Sequence, residues 1–423
     1  MAGNSSRVIG RCEALAKISD SESGISRLYL TSGYREGLAL AEQWMQTAGM
    51  NTGVDAAGNL WGRYPANVSD HFTPKFVPIP TLILGSHLDT IPNAGKFDGI
   101  LGVVCAIEVI TRLHAAQKTL PFHIDVVGFG DEEGVRFPAS MLGCRAVCGQ
   151  WQDEWFALTD IAGITLNEAL VQQGLNPAEI VNASRANEPL IGYWEIHMEQ
   201  GPVLENTSLP VGIVSAIAGA RRYTITLEGE AGHAGTVPMS LRRDALTAAA
   251  ELVLAIEKIG CAQGIVATVG HIQTYPNAVN VIPAHVECTL DIRSVDDLLI
   301  DEVMNLITTA SHAIATKRSI GIQWQKYHDA PAKHCAPKFR QLFEHAITQL
   351  NLPVCTLPSG AGHDAMLMAD ITDMAMLFVR CKGGISHHPD EFVAAEDAEV
   401  AVQTLLLALD ELAFEYHRSE ESI

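Results

Sequence analysis

Four short apolar runs in this chain each end in a histidine or an acid, and that recurrence constrains the fold more than any other feature. Thr81–Leu84 stops at Gly85 and delivers Ser86, His87 and Asp89. Phe122–Gly130 ends in Asp131, Glu132, Glu133 and Gly134. Ile191–His197 hands on to Glu199, Gln200 and Gly201, and Met374–Arg380 runs into GGISHHPDE. Apolar runs of this length, bounded by glycine, read as buried strands of a mainly parallel sheet. Strand ends ordinarily favour Gly, Asn and Ser as turn formers. Four ends carrying His, Asp or Glu therefore point to chemistry at the carboxyl edge, where open α/β sheets bind ligands.

After the first run comes a loop with Pro92 and Gly95, then Asp98, Gly99 and the mostly apolar segment Ile100–Ala115, long enough for a packed helix. An imidazole at a strand end and a carboxylate at the next helix start make half of a first-row metal site. A single HxD is more often an ordinary polar loop; the other strand ends supply the weight. Together, His87, Asp98, Glu132, Glu133, His197 and one of His387 or His388 suit Zn²⁺ or a similar ion. One carboxylate beyond what two ions need as ligands is free to act as a base.

A different periodicity occupies the middle of the chain. Tyr223–Gly229 alternates as a strand, Ser240–Ile259 is helical, and Ile265–Gln273 and His285–Arg293 alternate again. Val295–Thr316 is a second helix and Gly321–Tyr327 a last strand. The order β-α-β-β-α-β is the ferredoxin-like pattern. At 423 residues the chain is too long for one ordinary core. The expected architecture is α/β: a catalytic domain with a mixed, mainly parallel sheet at residues 1–214 and 329–423, carrying an inserted α+β domain at 215–328.

A formal net charge of −21 argues against nucleic acid or an anionic membrane as partner, because phosphate binding needs a basic face. The nine cysteines are scattered without a CxxC pair, which reads as reduced thiols rather than a disulfide framework. The start, MAGNSSRVIGRCEALAKIS, lacks a signal-peptide apolar core. The most apolar stretch, around Ile100–Ile110, carries Glu108 and falls short of membrane-spanning length. The expectation is a cytoplasmic enzyme.

In this order along nearly the whole chain, the motifs GSHLDT, FDG, DEEG, HMEQGP, AGHAGTVPM, NAVNVIP, DIRS, SGAGHDA and GGISHHPDE resemble the hydantoinase/carbamoylase branch of the M20 metallopeptidase-like amidohydrolases. The resemblance implies two divalent metal ions held by His87, Asp98, Glu133, His197 and His387, with Asp98 bridging and Glu132 as general acid/base. Zinc is the first expectation; manganese, cobalt and nickel also tolerate such an N/O ligand set. The branch pattern GISH-x-P puts the ligand at His387, whereas the residues themselves leave His388 open. His197, where peptidase-like relatives usually carry an acid, favours ureido hydrolysis over peptide cleavage.

The same resemblance implies a substrate clamp. His233 and Asn280 would steady the carbamoyl oxygen as charge develops, and Arg293 would hold the substrate carboxylate in a two-point fork. Gln200 and the Gly360–His363 segment, Gly362 and His363 included, are weaker candidates for contacts to the ureido group. The inserted domain would serve as lid and as the surface of a homodimer. Local sequence alone leaves Arg293 equally well paired with Asp291 or Glu228 on the sheet surface, and His233 as a plain loop residue beside glycine. Asp89 and Glu199 are candidates to orient their neighbours. The Arg221–Arg222 pair reads as structural, and His271, His285 and His312 have no supporting context.

The reaction implied is hydrolysis of the ureido C–N bond of a small carboxylate. Within the branch, overall resemblance favours allantoate, giving ureidoglycine, ammonia and carbon dioxide. N-carbamoyl-L-amino acids and β-ureidopropionate are near alternatives, and an aminopeptidase or dipeptidase a distant one. A non-catalytic binding protein on the same fold would lack the base or a ligand, and here all six residues are present.

Overall fold

A computed structural model describes residues 2–67 and 78–420. The chain divides into two compact units: residues 1–215, 335–357 and 363–423 form one, and residues 216–334 with 358–362 form the other.

The larger unit is built on a sheet with strands β1 (Asn51–Val54), β2 (Leu60–Tyr64), β3 (Thr81–His87), β4 (His123–Phe129), β5 (Leu190–Met198), β6 (Val211–Ile217) and β7 (Met374–Val379). Their spatial order is β1-β2-β4-β3-β5-β7-β6. The central four, β4, β3, β5 and β7, run parallel. Antiparallel neighbours flank them, β2 on β4 and β6 on β7. Every residue of β3 and β7 is buried, which explains why both are continuous apolar runs rather than alternating ones. The expected mainly parallel sheet is what the chain forms.

Close packing of helix on sheet and of strand on strand each depends on a glycine. A Cβ on Gly102, in the helix Ile100–Ala115, would stand 2.1 Å from the carbonyl oxygen of Ile196. One on Gly85 would stand 2.3 Å from that of Val127. Both positions therefore require the bare backbone. The helix begins at Gly99, whose φ of +67° turns the chain directly over the end of β3. Because the four central strands are parallel, their carboxyl ends fall on one edge. Register pairs His87 with Phe129 and His197 with Phe378, so the segments after β3, β4, β5 and β7 open at one level.

In the smaller unit, Ile272–Tyr275, His285–Ser294, Gly219–Glu228 and Gly321–Ala330 lie side by side in that order, each pair antiparallel. Helices Ala245–Gln263 and Asp297–Arg318 pack with one face of the sheet around Leu227, Leu252, Ile256, Leu290 and Val303. The strict alternation of buried positions along His285–Ser294 marks a sheet covered on one side.

Three expected boundaries shift. The first helix starts at Ala245 rather than Ser240, because the Asp244 carboxylate accepts the N–H groups of Leu246 and Thr247 and caps it there. The expected strand Ile265–Gln273 splits into Val266–Thr268 and Ile272–Tyr275, both paired with His285–Ser294. The unit runs to 334 rather than 328, since its last strand continues to Ala330, and it takes back residues 358–362. All nine cysteines are free, seven of them buried. Among the described residues no helix is long and apolar enough to cross a membrane.

Candidate metal and catalytic centre

The strand ends of the larger unit bring two donor groups together around one carboxylate. His87, Asp98 and His197 form one, and Asp98, Glu133 and His387 the other, with donor atoms in each group within 4.8 Å of one another. Asp98 belongs to both. Its Oδ1 lies 3.1 Å from His197 Nε2 and 3.8 Å from His87 Nε2, and its Oδ2 lies 3.0 Å from His387 Nε2. Glu133 Oε2 is 3.5 Å from the same His387 nitrogen. His388 turns away to Asp390 on the exposed surface and joins neither group.

The imidazoles are oriented for this task. His87 Nδ1 lies 3.1 Å from the carbonyl oxygen of Asp89, and His197 Nδ1 lies 2.9 Å from that of Met198. A carbonyl only accepts, so each Nδ1 carries a proton and each Nε2 is the nitrogen turned toward the centre, where a metal ion would displace any proton it holds. Both rings are buried and stack with centroids 5.9 Å apart. Asp89 does more than hold His87: its two carboxylate oxygens accept the N–H groups of Glu132 and Glu133, each at 3.2 Å. That grip fixes the two acids in different directions. Glu132 Oε2 stands 3.9 Å from His87 Nε2, while Glu133 reaches His387.

Charge at the centre is unbalanced. Burial, then the neighbouring Glu133 charge, drives the Glu132 carboxyl well above its ordinary range. Burial, then Asp98, raises Glu133 to about 8. Asp98 moves the other way: burial opposes ionisation, but hydrogen bonds from His197 and His387 hold it well below the usual value. His197 is lifted to about 9 by Asp98 against the effect of burial, and His387 to about 9 by its hydrogen bond to the same carboxylate. Clustered buried carboxylates with imidazoles turned toward them are a place for positive charge. The N/O donor set, the shared carboxylate and the Nε2 atoms turned toward it fit a first-row divalent metal.

Three non-glycine residues at the centre carry a positive φ: Asp131 (65°), Gln200 (57°) and His387 (55°). Left-handed backbone at such positions is costly and collects where side chains must be aimed. Gln200 donates from Nε2 to Asp98 Oδ2 at 3.1 Å and to Ser386 Oγ at 3.0 Å. Its Oε1 is buried with no hydrogen-bond partner among the described residues.

His363 is fully enclosed, its ring centroid 4.5 Å from that of His197, and burial, then the His197 charge, lowers its pKa well below the ordinary imidazole value. It forms a third donor group with Glu195 and His197. The Glu195 oxygens already accept Ser86 Oγ, Tyr193 OH and the Ala365 N–H, so that acid ties β3 and β5 to the helix Asp364–Met368. Glu199, a candidate for orienting its neighbours, instead caps the turn Val203–Thr207 by accepting the N–H groups of Val203 and Leu204.

The smaller unit holds the remaining candidates. His233 and Asn280 come together: His233 pairs with Val281, and the Asn280 carbonyl accepts the Ala234 N–H. Arg293 is gripped by Asp291, Nε to Oδ1 at 2.8 Å and Nη2 to Oδ2 at 2.9 Å, and donates from Nη1 to the Gly360 carbonyl at 2.7 Å. Arg222 holds the same Asp291 from the other side at 2.9 Å. One acid thus aligns two guanidinium groups on a cavity of about 770 Å³ that Thr289, Tyr327 and Gly360 also line. Gly362 lies exposed in the return segment 358–362. Arg221 pairs with Asp301 and Asp329, as a structural residue does.

Two contributors escape the sequence reading. Glu391 and Ser386 both lie inside GGISHHPDE and contact the Asp98 loop. An acid four residues after His387 is the available signal.

Residues 83–411 match the family described as peptidase family M20/M25/M40. An allantoate deiminase of Arabidopsis thaliana is 36% identical over 95% of this chain and 81% of its own length. An N-carbamoyl-L-amino acid amidohydrolase of Geobacillus stearothermophilus is 38% identical over 92% of this chain and 94% of its own. Among solved structures, a hydantoinase/carbamoylase family amidase of Burkholderia multivorans superposes with a TM-score of 0.88 at 32% identity, covering 96% of this chain and 97% of that one. The chain belongs to the M20/M25/M40 peptidase family.

Proposed function

We propose that this protein is an amidohydrolase that uses two divalent ions to cleave the ureido C–N bond of allantoate, yielding ureidoglycine, ammonia and carbon dioxide. The observation that carries the proposal is Asp98, shared between the His87–His197 and Glu133–His387 groups with Glu132 beside them. His87, Asp98, Glu133, His197 and His387 would hold the ions, which when bound would supply an activated water and polarise the attacked carbonyl. Glu132 takes the proton of that water and gives it to the leaving nitrogen. Its burial raises its proton affinity above that of an exposed carboxylate, the direction a proton carrier needs. Arg293, held in a fixed fork by Asp291, binds the substrate carboxylate. His233 and Asn280 hydrogen-bond the carbamoyl oxygen as charge builds on it, and Gln200, Gly362 and His363 are further contacts in this scheme. The inserted unit serves as lid and homodimer surface, and zinc is the favoured ion.

An N-carbamoyl-L-amino acid substrate is the second reading, favoured by the 38% identity to the Geobacillus stearothermophilus enzyme. Both substrates carry a ureido group and a carboxylate, so the centre serves either. The deciding experiment is ammonia release by metal-loaded protein offered allantoate, N-carbamoyl-L-amino acids and β-ureidopropionate side by side. Fastest turnover of allantoate supports the first reading. Preference for a carbamoyl amino acid replaces it with the second, and no turnover of any of them removes both.

A further inference from the structure

The two donor groups are not equally supported by the fold. His87 ends β3, His197 lies in β5, and both rings are buried. His387 sits on a loop, with a φ of +55° and a side chain 52% exposed. Something other than a strand has to bring that loop to Asp98.

Ser386 Oγ reaches Asp98 Oδ2 at 3.2 Å, and a buried carboxylate makes the larger set of contacts. Glu391 is 3% exposed. Its Oε2 accepts the N–H groups of Phe97 and Asp98 at 3.2 and 3.3 Å. Its Oε1 accepts the His387 N–H at 3.0 Å and the Ser386 hydroxyl at 3.3 Å. One oxygen thus holds the Asp98 loop and the other the His387 loop. Space is reserved for it as well, since a Cβ on Gly95 would lie 2.1 Å from Glu391 Oε2. With donors on both oxygens, only a carboxylate satisfies the arrangement; an amide would set its NH₂ against an N–H or a hydroxyl proton.

We propose that Glu391 is a positioning residue for the ion held by Asp98, Glu133 and His387, setting the affinity of that ion without touching it and acting less on the ion at His87 and His197, which shares only Asp98 with it. The proposal rests on the two-ion centre described above. Partners of this kind, one bond behind the ligands, commonly change metal affinity about 10–100-fold when removed.

Calorimetric titration of chelator-stripped protein with Zn²⁺ or Mn²⁺ separates the possibilities. His387→Ala identifies the binding step that belongs to the His387 group. Glu391→Gln is expected to weaken that same step about 10–100-fold and the other step by clearly less. Equal weakening of both steps, or no change in either, overturns the proposal while leaving the two-ion centre intact. Wild-type protein that shows fewer than two steps, or a His387→Ala variant that keeps both, overturns the two-ion reading itself. Thermal melting in chelator checks that Glu391→Gln is folded. Should it not be, Glu391→Asp keeps the charge but shortens its reach to its N–H and hydroxyl donors, and weakening greater at the His387 step is again the expected result; unchanged affinity there, or equal weakening of both steps, overturns the proposal.

Discussion

Asp98 Oδ2 and His387 Nε2 meet at 3.0 Å, joining the start of the helix Ile100–Ala115 to the loop after β7. The other oxygen of the same carboxylate faces His197, so a single side chain links both donor groups. Asp98→Ala is therefore expected to reduce the bound metal from two ions to at most one weakly held ion, measured by elemental analysis after desalting. His387→Ala is expected to cost one ion only.

Glu132 is placed beside the donor groups but belongs to neither. Glu132→Gln keeps the size of the side chain and removes its capacity to carry a proton. Turnover should fall about 10²–10⁴-fold, the usual contribution of a general acid/base, with both ions still bound. A steady-state assay run beside metal analysis distinguishes this from loss of a ligand.

Arg293 is held in one geometry by Asp291 and the Gly360 carbonyl. A charge-assisted fork of that kind contributes about 1.5–3 kcal/mol. Arg293→Ala should raise KM for carboxylate-bearing ureides about 10–100-fold, by the same principle, with ion binding unchanged. Arg293→Lys restores the charge but not the fork and should recover only part of the loss.

Far from the centre, Glu108 is fully buried in the helix Ile100–Ala115 and is met by Arg7 at 2.8 Å, Arg112 at 2.9 Å and Arg11 at 3.5 Å. Removing Glu108 takes a charged acceptor from three guanidinium groups, of which Arg7 is partly exposed and Arg112 keeps its pairing with Glu399. Glu108→Ala should destabilise the protein by about 1.5–3 kcal/mol, the range for a lost hydrogen bond to a charged group, read from chemical denaturation, with no direct effect on the donor groups.

How much of this is legible without a structure depends on where each residue sits. His87 and His197 each close an apolar run, so the strand and its end announce them together. Asp291 is two residues from Arg293 on the same strand and hence on the same face, which makes their pairing readable from alternation alone. Glu391 acts differently: it reaches the Phe97 and Asp98 N–H groups across most of the chain, and backbone donors leave no trace in sequence. The enclosure of His363 behind His197 is hidden for the same reason, because ring packing depends on the register of β5 with β7. Unit boundaries shift wherever a cap or a strand extension decides them, as Asp244 does for the helix after it.

The central claim is that the shared Asp98 centre works only with its ions in place. Ammonia release from allantoate should be measured on protein stripped by chelator and then supplied with zero, one and two equivalents of Zn²⁺ or Mn²⁺. Negligible activity without metal, rising to its full value only as the second equivalent binds, is the predicted result. Full activity in the stripped protein, or saturation at one equivalent, would contradict it.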